Sequence, residues 1–236
     1  MVEETIKNLG SVFNIKVQKS IDDFLGWEIH EGFGRILLAQ HRIVDKLLKS
    51  NTIKEDTNYE TPSAPGFFVV RPSESEKVDN LTQKWYRSNI GCLLYLIKLS
   101  RPDLANSVRT LSKVMDGAAP GHVKELKRLI QFVGNTKRKG LKMHVLEEDP
   151  WEIVAYSNSD YAGDKEGRKS ATGIVVLISG VPISWKSKGQ PTVTLSSTEF
   201  KYVALCETVR QVKFISQYWN HFKLSLRDQF GCMRIK

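Results

Sequence analysis

Two changes of hydrophobic period predict an α+β protein. Between residues 86 and 133 apolar side chains recur every three or four positions, the spacing of amphipathic helices. After Gly140 they fall into short β-rich runs separated by polar or Gly/Pro turns, which points to antiparallel strands. A smaller β-rich pair lies near the N-terminus, on either side of Gly32 and Gly34.

Taken in order, residues 2–13 read as a short helix and Phe24 to Ile29 as a strand. A turn over Glu31 to Gly34 leads into a second strand, Arg35 to Leu38, its glycines giving the freedom a hairpin needs. From Gln40 a helix puts Ile43, Leu47 and Leu48 on one face. Residues 54–80, with Pro62, Pro65, Gly66 and Pro72, form the most loop-like stretch and hold the first soft boundary. Tyr86, Ile90, Leu93, Leu94 and Ile97 then mark one helix. Ser100-Arg101-Pro102-Asp103 starts another, with Leu104, Val108, Leu111 and Met115 on its face. Pro120 opens a third with Val123, Leu126, Ile130 and Val133 inward. Strands are expected at Ile153–Tyr156, Thr172–Ile178, Ile183–Lys186 and Thr192–Leu195. Ser196 with Glu199 makes a capping box for a last helix, whose buried stripe is Phe200, Val203, Ala204, Phe214, Ile215 and Trp219.

Composition narrows the function classes. The 236 residues are 41% hydrophobic and 26% charged, ordinary for a packed globular protein. Lys and Arg outnumber Asp and Glu by 35 to 26, a net +9 that favours polyanionic partners and equally suits a plain basic protein. Cys92, Cys206 and Cys232 are widely spaced and form no Cys-x-x-Cys pair. His30, His41, His122, His144 and His221 show no helical pairing suited to a metal. Reducing, intracellular surroundings fit, with cytoplasm and nucleus not distinguished. The acidic start, Met1-Val-Glu-Glu, is unlike a signal peptide. The longest apolar run, Gly173 to Ile183, is interrupted by Ser179, Gly180 and Pro182 and is far short of the roughly 20 residues of a membrane span. No membrane role is expected.

Three motifs in order carry a resemblance: Ala155-Tyr156-Ser157-Asn158-Ser159-Asp160-Tyr161-Ala162-Gly163-Asp164, then Ile183-Ser184-Trp185-Lys186-Ser187-Lys188, then Ser196-Ser197-Thr198-Glu199-Phe200-Lys201-Tyr202. This order resembles the ribonuclease H domain of Ty/copia-type retrotransposon Pol polyproteins. Upstream, Phe13-x-Ile15-Lys16 followed by Phe24-Leu25-Gly26-x-Glu28-Ile29 resembles the end of that family's reverse transcriptase palm, with Val17-Gln18-Lys19 where the family reads Asp-Leu-Gly. Gly34-x-Ile36-x-Leu38-x-Gln40 with Thr61-Pro62, and Tyr86-Arg87-Ser88 through Arg101-Pro102-Asp103-Leu104-Ala105, match the next two blocks. The resemblance implies three parts: residues 1–62 the C-terminal part of the reverse transcriptase, 63–145 a helical thumb and connection region, and 146–236 a truncated, incomplete ribonuclease H-like α/β domain.

The resemblance also implies what is missing. The family's polymerase motif, Tyr-Val-Asp-Asp, is expected upstream of this chain. Asp22-Asp23 lacks the preceding Tyr and reads as a solvated turn. In ribonuclease H, two magnesium ions about 3.5–4 Å apart cleave the phosphodiester, and carboxylates hold them. At two of those carboxylate positions this chain has Asn158, a neutral carbonyl, and Lys201, a cation. The third acid is expected beyond the last helix, where only Asp228 offers itself in a poor context. Asp160, Asp164, Glu199 and Glu207 are the residual acids. Asp160 is offset from Asn158 by about 6–7 Å along a strand. Glu199 is turned about 200° from Lys201 on a helix. The expectation is therefore loss of both activities, with no cofactor and no catalytic residue assigned. A weak magnesium-dependent nuclease built on Asp160 or Asp164 is one alternative.

Nucleic-acid binding without catalysis is the other. Lys124, Lys127, Arg128, Lys137, Arg138, Lys139 and Lys142 face a single acid, Glu125. Lys186 and Lys188 flank Trp185, and Arg168 lies in the family's Arg-Lys-Ser turn. Cations interleaved with an aromatic suit backbone contact and stacking on an RNA/DNA hybrid or another nucleic acid. A solvated helix face, a buried Trp185 and a structural Arg168 explain the same residues.

Overall fold

The computed structural model describes residues 2–17, 22–32, 34–52, 58–144, 152–160, 163, 166–193 and 196–221, and among them are six α-helices, seven strands and two short 3-10 turns. The fold is α+β, as expected. Helix α1 is Val2–Val12; strands β1 (Asp23–Phe24), β2 (Trp27–Gly32) and β3 (Arg35–Ala39) follow, then α2 (His41–Asn51). Helices α3 (Asn80–Leu99), α4 (Ala105–Ser112) and α5 (Pro120–Asn135) come next, and β4 (Leu141–His144) returns to the first sheet. Strands β5 (Ile153–Asp160), β6 (Ala171–Ile178) and β7 (Val181–Gly189) precede α6 (Ser197–His221). Both sheets are antiparallel, in the orders β1-β2-β3-β4 and β5-β6-β7.

The strand expected over Phe24–Ile29 is split in two. Leu25 and Gly26 both have positive φ, 50° and 85°, so the chain reverses there and Phe24 pairs with Trp27. Tyr95 fixes the reversal: its hydroxyl donates to the Leu25 carbonyl at 2.9 Å, and a Cβ on residue 26 would meet that hydroxyl at 2.3 Å. Only glycine fits both the space and the dihedral. Strand β4 is an element that no sequence pattern announced. Four residues, Leu141–His144, add to β3 in the register Leu38↔Leu141, with Leu141 buried.

The main core joins α2 to α3, α4 and α5. Val44 and Leu47 from α2 pack with Tyr86, Ile90, Leu93 and Leu96 of α3, with Leu104, Val108 and Leu111, and with Leu126, Ile130 and Val133 of α5. Asp79 starts α3 by accepting the N–H groups of Leu81 and Thr82 at 2.9 and 3.0 Å, which satisfies two donors a helix start leaves open. Leu94, expected inward, is 39% exposed, because the buried row runs 90, 93 and 96; it lines a surface cleft beside Trp185 instead. The residues between α2 and α3 contain no strand among those described. They are pinned to α5 through Glu125, which accepts from Ser63 Oγ at 2.9 Å and the Ala64 N–H at 2.7 Å.

A smaller core lies under α6, where Ala155, Ile174 and Val176 meet Val212 and Ile215. Phe200 and Ala204 are buried as expected, but Phe214 is 54% exposed and stacks at a tilt on Tyr218. Thr208 takes the inward position instead; its hydroxyl bonds the Ala204 carbonyl at 2.8 Å, so it is buried without an unmet polar group. The strand expected at Thr192–Leu195 does not form at 192 and 193, and its last two residues lie outside those described, as does the tail after Leu226. No helix among the described residues is long and apolar enough to cross a membrane.

One buried charge sits at the turn from α3 into α4. Arg101, 2% exposed, makes a two-pronged contact to Asp103 (3.0 and 2.9 Å) and reaches Thr136 Oγ1 at 2.8 Å, at the end of α5. Removing the acid strands a buried cation, whereas removing the cation leaves an acid that is 37% exposed and can rehydrate. We expect Asp103→Ala to cost about 3 kcal/mol and Arg101→Leu clearly less. Urea denaturation followed by circular dichroism checks the order, and the reverse order would refute it.

Candidate functional site

Strand alternation divides the second sheet into two faces. On β5, Ala155 and Ser157 are buried, whereas Tyr156, Asn158 and Asp160 are exposed. Asn158 pairs with Gly173, which pairs in turn with Ser187, so a glycine lies beside the asparagine on this face. The face looks across a cleft of about 580 Å³ to Pro102, Asp103, Ala105 and Asn106, at the start of α4. Trp185 and Ser187 lie on the same side and fasten it: the Trp185 indole N–H donates to the Ile97 carbonyl, and Arg109 Nε donates to Ser187 Oγ at 3.0 Å. Trp185 is thus a structural anchor on α3, with its polar edge used.

Two carboxylates line this cleft, and each already has a partner. Asp160 accepts the N–H of Ala171, the residue opposite it on β6, and a Cβ on residue 163 would collide with its other oxygen at 2.2 Å. Asp103 is engaged by Arg101. The Asn158 side-chain oxygen accepts its neighbour's N–H, from Ser159, at 2.8 Å. Two-metal chemistry requires several unengaged anionic oxygens converging on one point. This cleft offers an amide and two committed acids. Asp164 lies outside the described residues.

The start of α6 is held to the sheet by one amide. Gln190, 3% exposed, directs its Nε2 at Ser159 Oγ (3.1 Å), Thr172 Oγ1 (3.0 Å) and the Phe200 carbonyl (2.9 Å). The carbonyl can only accept, so the amide nitrogen must face it. Ser159 adjoins Asn158 and Phe200 adjoins Lys201, so this clamp holds the chain beside both residues. Lys201 and Glu199 are nevertheless exposed on α6 and absent from the lining of the Asn158 cleft. Ser196 Oγ accepts the Glu199 N–H at 3.1 Å, giving the first half of the expected cap.

The basic residues separate by environment. Lys186 is paired with Glu207 at 2.6 Å, and that bond, with Lys188 and Arg210 nearby, holds the Glu207 carboxyl below its ordinary range. Lys188 is exposed, and Arg168 occupies a left-handed turn position with φ 53°. Arg128 is structural: it lies 4.1 Å over the Tyr59 ring and donates to Thr61 Oγ1 at 3.1 Å. Lys137 pairs with Asp45 at 2.5 Å. Lys124, Lys127, Arg138 and Lys139 are exposed, Lys139 lying 5.7 Å over Phe132. Lys124 and Lys127 border a groove of about 740 Å³ that also presents Tyr59, Leu81 and Trp85, with Lys127 at 5.9 Å over the Trp85 ring. An aromatic-lined basic groove on α5 was not apparent from spacing, since Tyr59 and Trp85 come from distant segments.

A second grouping also escaped the sequence. Glu28, His30 and His41 converge on the first sheet, with one ligand atom from each within 4.8 Å of the others. The signal available was Glu28-x-His30 on a strand, where residues two apart share a face.

Comparison with known proteins places the chain. It is 32% identical over 216 residues to the retrovirus-related Pol polyprotein from transposon RE1 of Arabidopsis thaliana, covering 91% of this chain and 14% of that protein. It is 30% identical over 211 residues to an uncharacterized mitochondrial protein, AtMg00810, of the same plant, covering 89% of this chain and 85% of that protein. Over 131 residues it is 37% identical to secreted RxLR effector protein 161 of Plasmopara viticola, covering 56% of this chain and 91% of the relative. The chain belongs to the Ty/copia-type retrotransposon Pol family, and it spans a small part of the full polyproteins. No family model matches it, and no solved structure does.

The Gln190 clamp yields a direct test. Gln190→Ala removes the amide that bonds the buried Thr172 hydroxyl, the part-buried Ser159 hydroxyl and the Phe200 carbonyl, a loss of about 1–3 kcal/mol. Denaturant unfolding followed by tryptophan fluorescence should show it; a loss below about 0.5 kcal/mol would mean that the clamp holds nothing.

Proposed function

We propose that the chain is a retrotransposon Pol segment, derived from reverse transcriptase and ribonuclease H, that does not cleave nucleic acid. The β5-β6-β7 sheet followed by α6 supports a ribonuclease H-like reading of residues 146–236, with 1–62 and 63–145 as palm-derived and connecting parts. The observation that carries the loss of activity is the Asn158 cleft, where an amide replaces the expected acid and both neighbouring carboxylates are bonded elsewhere. Lys201 adds a cation where a metal ligand is expected. Magnesium is the parent family's cofactor, and the described residues of the Asn158 cleft fit it poorly.

Purified chain incubated with a labelled RNA/DNA hybrid and magnesium should release no product, and Asn158→Asp alone should not restore cleavage. Product formation by the unaltered chain, lost on Asp160→Ala or Asp164→Ala, would replace this reading with that of a rearranged nuclease.

A second reading rests on the α5 groove. Exposed Lys124 and Lys127 beside Trp85 and Tyr59 support non-catalytic binding of single-stranded or hybrid nucleic acid, the cations meeting phosphate and the rings meeting bases. Lys186, being paired with Glu207, contributes little. We expect salt-sensitive binding by anisotropy, with Lys124→Glu plus Lys127→Glu reducing the salt slope by about 2 and Lys186→Glu leaving it nearly unchanged. Equal effects from the two variants would exclude the groove as the binding site.

A further inference from the structure

We propose that Glu28, His30 and His41 form a zinc(II) site that clips the β2–β3 hairpin to the start of α2. The backbone sets up the grouping. Glu28 and His30 share one face of β2, and their partners on β3 are Ala39 and Leu37. The chain leaves β3 at Ala39 and enters α2 at His41, which brings the second imidazole back over that face. The two rings stack with centroids 5.4 Å apart and planes 28° apart, and His41 Nδ1 lies 3.6 Å from Glu28 Oε2.

The distances suit a metal better than a hydrogen bond. At 3.6 Å the Glu28–His41 contact is too long for a direct bond. Tetrahedral zinc with bonds of about 2.0–2.1 Å sets neighbouring ligand atoms about 3.3–3.4 Å apart. The Glu28–His41 pair therefore needs little change. His30 is exposed and has room to close the remaining gap within the 4.8 Å triangle.

The surroundings prepare the carboxylate. Glu28 Oε1 accepts the Arg42 backbone N–H at 2.7 Å, which orients the group and leaves Oε2 toward His41. The Arg42 guanidinium is drawn to Asp23 and does not compete for Glu28. Glu28 and His41 are largely sheltered, with 13% and 25% of their side-chain surfaces exposed. His122 shows the ordinary alternative for a sheltered histidine, its Nδ1 accepting the Ala119 N–H at 3.0 Å. Two imidazoles and one carboxylate favour a borderline ion over magnesium or calcium, which prefer all-oxygen shells. Three protein ligands leave a fourth position for water or a donor from another molecule.

The experiment is titration of the purified, metal-stripped chain with zinc by competition against a chromophoric chelator, with cobalt(II) as a spectroscopic substitute. The expected result is one ion per chain, bound more tightly than about 100 μM, with a visible cobalt band free of thiolate charge transfer. His30→Ala is the informative variant, because this side chain is exposed and its loss should leave the fold intact. It should weaken zinc at least about tenfold and remove the zinc-induced rise in melting temperature. Binding weaker than about 100 μM, binding indifferent to His30→Ala, or a thiolate-dominated cobalt spectrum would each overturn the site.

Discussion

The corner at residues 100–103 is the constraint from which the arrangement of the molecule follows. Arg101 is buried and permanently charged, so it must be met on several sides or the corner does not form. Asp103 takes the guanidinium edge from within the turn, and Thr136 takes it from the end of α5. The preceding residue, Ser100, donates to Gln40 Oε1 at 2.6 Å, at the junction of β3 and α2. Three segments distant in sequence thus meet at two adjacent side chains. Trp185 then attaches the second sheet to the last turn of α3. The wall of the Asn158 cleft made by Pro102 and Asp103 is therefore fixed by the same buried cation that closes the helical core.

That arrangement decides the electrostatics of the cleft. A nuclease of the parent type needs negative charge that is uncompensated until metal arrives. Here the acid on one wall neutralises Arg101, and the acid on the other wall holds the edge of β6. Both carboxylates contribute to the fold, and recruiting either for a metal would give up a bond the structure uses. Asn158 adds polarity without charge. On the proposed reading, the residues that differ from the family pattern and the engagement of the remaining acids act in the same direction, against a metal-dependent cut.

Much of the helical core was legible from sequence because it rests on local periodicity. Tyr86, Ile90 and Leu93 on α3, and Leu126, Ile130 and Val133 on α5, lie where a 3.6-residue repeat puts them. The misses are non-local. Strand β4 is defined by pairing with β3 about a hundred residues earlier, and four residues of modest β character do not declare such a partner. The Leu25–Gly26 reversal depends on the Tyr95 hydroxyl from α3. Phe214 had the right spacing for the α6 stripe, but a threonine that satisfies its own hydroxyl took the inward place. At the candidate site, the identities of Asn158 and Lys201 were readable, whereas the engagement of Asp160 and Asp103 required the fold.

Motif and proximity lead to different parts of this molecule. The ordered motifs establish descent, and at the two positions where they call for metal ligands the chain carries an amide and an ammonium. Donor atoms suited to a metal gather elsewhere, where a hairpin meets the start of α2, from two histidines that match no motif and are 11 positions apart in sequence. Their convergence depends on a two-residue strand period, a β2–β3 register, and a helix that begins immediately after β3. A carboxylate and two imidazoles held at that spacing have their own coordination preference, whatever the ancestry of the chain. Descent is read from the order of the motifs, whereas the local packing of side chains decides where donor atoms gather.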